Sequence, residues 1–325
     1  MNRRSVRSLA RTTQTHLVAL VCLATMACTP VPRDDGDRAS DETLGPPDRY
    51  TVEVDGHPMA VWGRTPANVE AVALLLHGRT WSSIPDFDLQ APGEDLSLMR
   101  ALADRGIAVY ALDARGYGAT PRDSSGWLTP NRMAADAAGV LEWIRARHPD
   151  LPAPAVMGWS YGATVAHLTA QRNPESVSGV ALYGYVHHPE RLLPEVEQPA
   201  AAPRRPTTDE AARSDFITPG SISATAIEAF VDAALTADPI RVDLRAAHEF
   251  NALAPDSLIV PTLILQGELD PFAPTVVQDA LFGGLGTAHK AWVVLPGCDH
   301  AAHIERCMPR FVRALSGFVH EVAGR

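Results

Sequence analysis

The sequence predicts an α/β fold: a mostly parallel eight-stranded sheet flanked by helices, with an inserted helical cap late in the chain. Three observations predict it. Short apolar runs of strand length alternate with helical patterns after residue 50, and such alternation builds parallel sheets covered on both faces. The pentapeptide Gly158-Trp159-Ser160-Tyr161-Gly162 stands between one of these runs, Ala155 to Gly158, and a small-residue helical pattern, Ala163 to Arg172. The alternation then fails from His187 to Pro255, where Pro203-Arg204-Arg205-Pro206 precedes a helical pattern carrying Ile227, Phe230, Val231 and Leu235.

At 325 residues, 46% hydrophobic and 20% charged, the chain suits one large domain with an insertion better than two equal domains. Residues 1–27 hold four arginines and no acids, and Leu17 to Ala27 is apolar and ends in small residues. That is the form of a secretory signal peptide and is too short to span a membrane as a helix. Its removal takes the formal charge from −10 to −14, because four positive charges leave with it. An acidic mature domain argues against a nucleic-acid partner. Thr25-Met26-Ala27-Cys28 resembles a bacterial lipoprotein cleavage site, in which Cys28 becomes a lipidated membrane tether, although Thr25 stands where an aliphatic residue is usual. Cleavage after Ala27 without lipid is the alternative, so the protein is expected as an exported lipoprotein or a secreted form. The Pro-, Asp- and Gly-rich stretch 28–48 reads as a disordered tether. The core is then expected over 49–186 and 257–325, with the cap insertion at 187–256.

Strands are expected near Tyr50 to Val54, Pro58 to Trp62, Ala71 to Leu76, Ile107 to Leu112, Ala155 to Gly158, Ser176 to Tyr183, Val260 to Gly267 and Lys290 to Leu295. The clearest helix follows Thr129-Pro130, a cap and a first-turn proline, with Met133, Ala137, Val140, Leu141 and Ile144 along one face. A last helix is expected over Ala301 to His320. Ligands of such sheets bind beyond the carboxyl ends of the strands.

A strand, sharp turn and helix at 158–162 holds the Ser160 hydroxyl out at the tip of a turn. A serine hydroxyl is a weak nucleophile until a neighbouring base takes its proton, and a third group must orient that base. Two later loops supply candidates. The run Val260 to Gly267 ends in the acidic turn Glu268-Leu269-Asp270-Pro271, which makes Asp270 the acid, and the strand ending at Leu295 feeds Pro296-Gly297-Cys298-Asp299-His300, which makes His300 the base. Glu268 and His303 are their rivals; Asp270 sits past the Gly267 break where the strand has ended, and His303 falls within the expected helix. The pair His300-x-x-His303 followed by Glu305 also invites a zinc reading, but helical zinc pairs prefer i, i+4 spacing, and no metal or cofactor is expected.

With His77-Gly78 after the strand at 71–76, Leu112-Asp113-Ala114-Arg115-Gly116-Tyr117-Gly118, the Ser160 turn, Gly267 to Asp270 and His300, the chain resembles the α/β-hydrolase superfamily from about Tyr50 onward. The resemblance implies an oxyanion hole formed by the backbone N–H groups of Arg79 and Tyr161, supported by His77. It also implies that the insertion roofs a substrate pocket. A second long loop, Arg79 to Glu94, carries Trp81, Ile84, Phe87 and Leu89, which either line that pocket or pack under the cap; Trp81, Phe87 and Trp159 are its candidate lining residues. His187, His188 and His248 lie near the roof in this reading and are assigned structural or solvated roles.

Cys298 and Cys307 bracket His300, and in an exported protein they are a candidate disulfide. The expected activity is hydrolysis of a small-molecule carboxylic ester through an acyl-enzyme. A proline iminopeptidase-like aminopeptidase is the competitor, with Asp209, Glu210, Glu228 and Asp232 available for a substrate amine. A non-catalytic surface-binding protein is the remote alternative. Epoxide hydrolases and haloalkane dehalogenases of the superfamily place an aspartate where Ser160 stands, which argues against both.

Overall fold

A computed structural model describes residues 45–324. The signal segment 1–27, Cys28 and most of the expected tether lie outside the described residues.

Eight strands form the main sheet: β1 (Asp48–Val54), β2 (His57–Arg64), β3 (Ala71–Leu76), β4 (Ile107–Leu112), β5 (Ala155–Trp159), β6 (Gly179–Tyr183), β7 (Thr262–Gly267) and β8 (Lys290–Leu295). Their order across the sheet is β1-β2-β4-β3-β5-β6-β7-β8. β1, β2 and β4 pair antiparallel, and every later pairing is parallel. The β1–β2 turn is Asp55-Gly56, with φ of 51° and 70°, the left-handed pair that a two-residue hairpin needs. β1 begins at Asp48, the last residue of the expected tether.

β3 and β4 are buried along their whole length, because helices cover both faces and leave no polar side. The alternation of the strand still sorts the side chains: Val72, Leu74 and Leu76 join one core, and Ala71, Ala73 and Leu75 the other. Eight helices appear in the described chain: α1 (Ser83–Phe87), α2 (Leu98–Ala103), α3 (Pro130–Arg147), α4 (Tyr161–Arg172), α5 (Asp209–Arg213), α6 (Ala224–Ala237), α7 (Thr275–Gly284) and α8 (Met308–Ala323). α3, α4 and α7 bury their apolar stripes in the first core, α2, α6 and α8 in the second. α3 starts as expected, with Thr129 Oγ1 accepting from the Arg132 amide and Pro130 in the first turn.

Three expectations change. The final helix begins at Met308 rather than Ala301. Residues 301–307 are turns closed by the Cys298–Cys307 disulfide, and Pro309, which lacks an N–H, sits in the first helical turn where none is needed. The sixth strand starts at Gly179 rather than Ser176, because Pro174–Ser176 forms a 3₁₀ turn. The segment expected as a long loop after Arg79 contains α1 and a small hairpin, Leu89–Ala91 with Glu94–Leu96. Between β6 and β7 the chain leaves the sheet through α5, α6 and two 3₁₀ turns before returning at Thr262. Phe230 of α6 packs at 6.3 Å from Trp81 and 5.0 Å from Phe216, joining this excursion to the segment after β3.

Candidate active site

The turn between β5 and α4 puts Ser160 at φ 57°, ψ −116°, a conformation that costs a non-glycine residue on the order of 1–3 kcal/mol. Its two flanking glycines make that turn possible. A Cβ on Gly158 would lie 2.1 Å from the Gly162 carbonyl oxygen, and one on Gly162 would lie 2.3 Å from the Leu76 carbonyl oxygen. The Ser160 amide donates to the Tyr183 carbonyl at 2.8 Å, which ties the turn to the end of β6.

Asp270 follows β7 and His300 follows β8, and the two meet: Asp270 Oδ2 lies 2.7 Å from His300 Nδ1. Asp270 Oδ1 accepts from the amides of Phe272 at 2.9 Å and Ala273 at 3.2 Å, so both carboxylate oxygens are engaged. A carboxylate only accepts, so Nδ1 carries the ring proton and Nε2 keeps its lone pair. The Asp270 side chain is fully buried and that of His300 nearly so. Gly184 clears the space for the pair, since a Cβ there would stand 2.8 Å from His300 Cε1. The rivals are occupied elsewhere. Glu268 Oε2 accepts from the Gly297 amide at 2.8 Å. His303 is fully buried among Trp159, Phe87, Tyr183 and Phe311, and burial pushes its pKa down to about 3. Glu305 accepts from the Ser221 hydroxyl at 2.6 Å, so the three residues of the zinc reading have separate partners or surroundings.

The loop that carries His300 is held from several sides. Tyr183 Oη donates to the Asp299 carbonyl at 2.6 Å and accepts from the Ala302 amide at 2.9 Å. Trp159 Nε1 donates to the carbonyl of His300 itself at 2.7 Å. Asp299 Oδ2 accepts from the Thr218 amide at 2.8 Å, a bond from the excursion to the loop. The disulfide Cys298–Cys307 closes the loop at its base.

Beyond β3, His77 Nε2 accepts from the Ala114 amide at 3.1 Å, which leaves Nδ1 as the donor to the Gly78 carbonyl at 2.8 Å. Burial lowers the His77 pKa, so the ring is a neutral brace of this turn. The Gly78 amide donates to Asp86 Oδ2 at 3.3 Å, and the Arg79 carbonyl accepts from Tyr117 Oη. Among the described residues neither the Arg79 nor the Tyr161 backbone N–H has an acceptor. For Tyr161 this follows from its place in the first turn of α4, where helix amides are orphaned.

Ser160 and His300 line one cavity of about 420 Å³, together with Arg79, Trp81 and Trp159. Phe87 does not reach it. The ring is fully buried 5.7 Å from His303, because α1 turns it into the core rather than toward the site. The four acids proposed for a substrate amine are not on the wall either: Asp209 and Glu228 pair with Arg213 at the surface, and Glu210 and Asp232 are exposed. In their place stand three residues that sequence reasoning missed, Asp86, Asp215 and Arg241. Burial holds the Asp86 carboxyl well above the usual range, aided by the charge of Asp215. Burial also raises Asp215, to about 6, against the opposing hydrogen bond from Trp81 Nε1 at 2.8 Å. His187 and His188 line a neighbouring cavity that shares Val186 and Phe272 with this one, while His248 lies in the 3₁₀ turn Ala247–Ala252.

A parallel sheet in this order, with a strained serine turn after its fifth strand and a cavity at the strand ends, defines an α/β hydrolase. The family described as serine aminopeptidase, S33 (Hydrolase_4), matches residues 68–307, and the chain belongs to it. No curated protein matches the sequence. Similar solved structures include a serine hydrolase involved in carbazole degradation (TM-score 0.61, 18% identity, covering 84% of this chain and 98% of that one). A monoacylglycerol lipase from Paleococcus ferrophilus is similar at TM-score 0.57 and 19% identity, over 81% of this chain and 99% of that one. A proline iminopeptidase from Mycobacterium smegmatis is similar at TM-score 0.59 and 16% identity, over 85% and 99%. At these identities the likeness speaks for the fold alone.

Proposed function

We propose that the protein is an exported serine hydrolase that cleaves a small carboxylic ester through an acyl-enzyme. The observation that carries this reading is the 2.7 Å bond between Asp270 and His300 beside a cavity that Ser160 shares. His300 Nε2 takes the Ser160 proton as Oγ attacks the ester carbonyl, then gives it to the departing alcohol; water repeats the sequence on the acyl-enzyme. Asp270 fixes the tautomer that makes Nε2 the base. The free amides of Arg79 and Tyr161 receive the developing oxyanion, and one such donor is worth roughly 3 kcal/mol of barrier. Ser160 Oγ has no hydrogen bond among the described residues; catalytic bonds of unliganded sites commonly tighten only when substrate arrives. The disulfide supports an oxidising compartment, consistent with export and with a lipid tether at Cys28.

A fluorophosphonate probe tests this directly. It should label wild-type protein and not Ser160→Ala, and 4-nitrophenyl esters should be hydrolysed by the first and not the second. No labelling of folded wild-type protein overturns the proposal. Asp215 on the cavity wall favours one second reading, an aminopeptidase in which that carboxylate meets a substrate amine. Faster turnover of proline naphthylamide than of the esters would make it the better one.

A further inference from the structure

The chain has 28 basic residues against 38 acidic ones, and six of the described arginines pair with a carboxylate. Arg64 pairs with Asp88, Arg115 with Asp136, Arg122 with Asp243 and Arg213 with Glu228. Two arginines on the wall of the catalytic cavity, Arg79 and Arg241, make no ion pair among the described residues. Their backbones are nonetheless fixed. Arg79 is held through its carbonyl by Tyr117, and Arg241 donates its amide to the Arg205 carbonyl at 2.8 Å while its own carbonyl accepts from Arg122 Nη2 at 2.6 Å. Both line the same cavity, and the charges of Asp238, Arg79 and Arg241 all act on the Tyr117 phenol.

The acids nearby form no ion pair with them among the described residues. Burial holds the Asp86 carboxyl well above the usual range, and burial raises Asp215 to about 6. Asp215 accepts from Trp81 Nε1 and makes no ion pair with either arginine among the described residues. Asp238 lies close by, but its two oxygens accept the amides of Ser82 and Gly118. Two unpaired cations at a site whose oxyanion amide belongs to one of them are arranged for an anion. Arginine is suited to carboxylate because its planar fork donates two parallel hydrogen bonds.

Resting on the esterase reading above, we propose that the substrate is itself anionic: an ester carrying a carboxylate a few atoms from the scissile carbonyl, which Arg79 and Arg241 hold. The carboxylate belongs either to the acyl part or to the departing alcohol, and two matched substrate pairs separate these cases. The acyl pair is 4-nitrophenyl hydrogen glutarate and its neutral terminal amide; the leaving-group pair is 4-carboxyphenyl butyrate and 4-carbamoylphenyl butyrate. In one pair kcat/KM should favour the anion by about tenfold or more, chiefly through KM, and the preference should shrink as salt screens the charge. Arg241→Gln should collapse that ratio toward one, and Arg241→Glu should invert it. A ratio near one in both pairs, or one that Arg241→Gln leaves unchanged, overturns the proposal while the esterase reading stands. Calorimetric titration of the intact protein with glutarate and with benzoate reads the arginines without any chemistry. Binding of either that Arg241→Gln removes would support the anion site even if no ester is cleaved, and binding of neither would overturn it.

Discussion

The Asp270 carboxylate reaches His300 Nδ1 at 2.7 Å with one oxygen while the amides of Phe272 and Ala273 occupy the other, so the acid cannot rotate without breaking three hydrogen bonds. Asp270→Asn keeps the shape but replaces an acceptor with an amide that is free to donate, which stabilises the wrong histidine tautomer. Turnover of 4-nitrophenyl esters should fall about 10⁴-fold in kcat with little change in melting temperature, read by steady-state kinetics beside a thermal scan. A loss under tenfold would mean that the imidazole is oriented by something else.

The serine turn predicts its own fragility. Gly162→Ala places a methyl group 2.3 Å from one backbone oxygen and 2.4 Å from another, neither of which is the end of a flexible side chain. Destabilisation of about 3 kcal/mol or more is expected, with loss of labelling at Ser160. Gly283→Ala, with nothing within 4 Å of its new carbon and a helical backbone, serves as the control. That change should be neutral or raise stability by up to about 1 kcal/mol in urea unfolding.

Reduction should loosen the base loop. The bridge between Cys298 and Cys307 spans 9 positions, a loop whose closure constrains the unfolded chain by about 2.7 kcal/mol in the chain-entropy model. Reductant, or the paired Cys298→Ser and Cys307→Ser changes, should lower the melting temperature by roughly 4–5 °C in a protein of this size. An unchanged melting curve would show that the loop is held fully by its hydrogen bonds.

Glu305 links stability to pH. Burial, with the Asp299 charge, raises its carboxyl to about 8 in the folded protein, against an ordinary value near 4.5, while the Ser221 hydroxyl pulls the other way. In that window the unfolded chain gives up the proton and the folded one keeps it, so the stabilising contribution is complete below about pH 4.5 and fades as pH rises to about 8. Asp215 and Asp238, both raised to about 6, act in the same direction over a narrower range. Glu305→Gln should therefore flatten the decline of melting temperature between pH 5 and 8, measured by a series of buffered thermal scans. A wild-type curve that rises across this range would contradict the assignment.

What the sequence disclosed and what it hid divide along physical lines. Strands such as Ala71–Leu76 and Ile107–Leu112 were legible because both faces are covered and every position is apolar. The positions of Ser160, Asp270 and His300 at the strand ends were legible because each follows a strand and sits in a turn of recognisable chemistry. The start of α8 was not, since apolar Ala301, Ala302 and Ile304 mimic a helical stripe while being packed as turns. Asp215 and Arg241 were hidden for another reason: they come from the excursion between β6 and β7, where long-range packing rather than local pattern decides which side chains reach the cavity. Phe87 shows the converse, an aromatic near the site in sequence that its short helix turns into the core.

Trp159 adds a mechanical consequence. This residue is the immediate neighbour of Ser160 in the chain, yet its indole grips the backbone of His300. The Ser160 turn and the His300 loop are therefore tied by a single indole hydrogen bond, so a substitution that removes the Trp159 donor severs a direct link between the two segments.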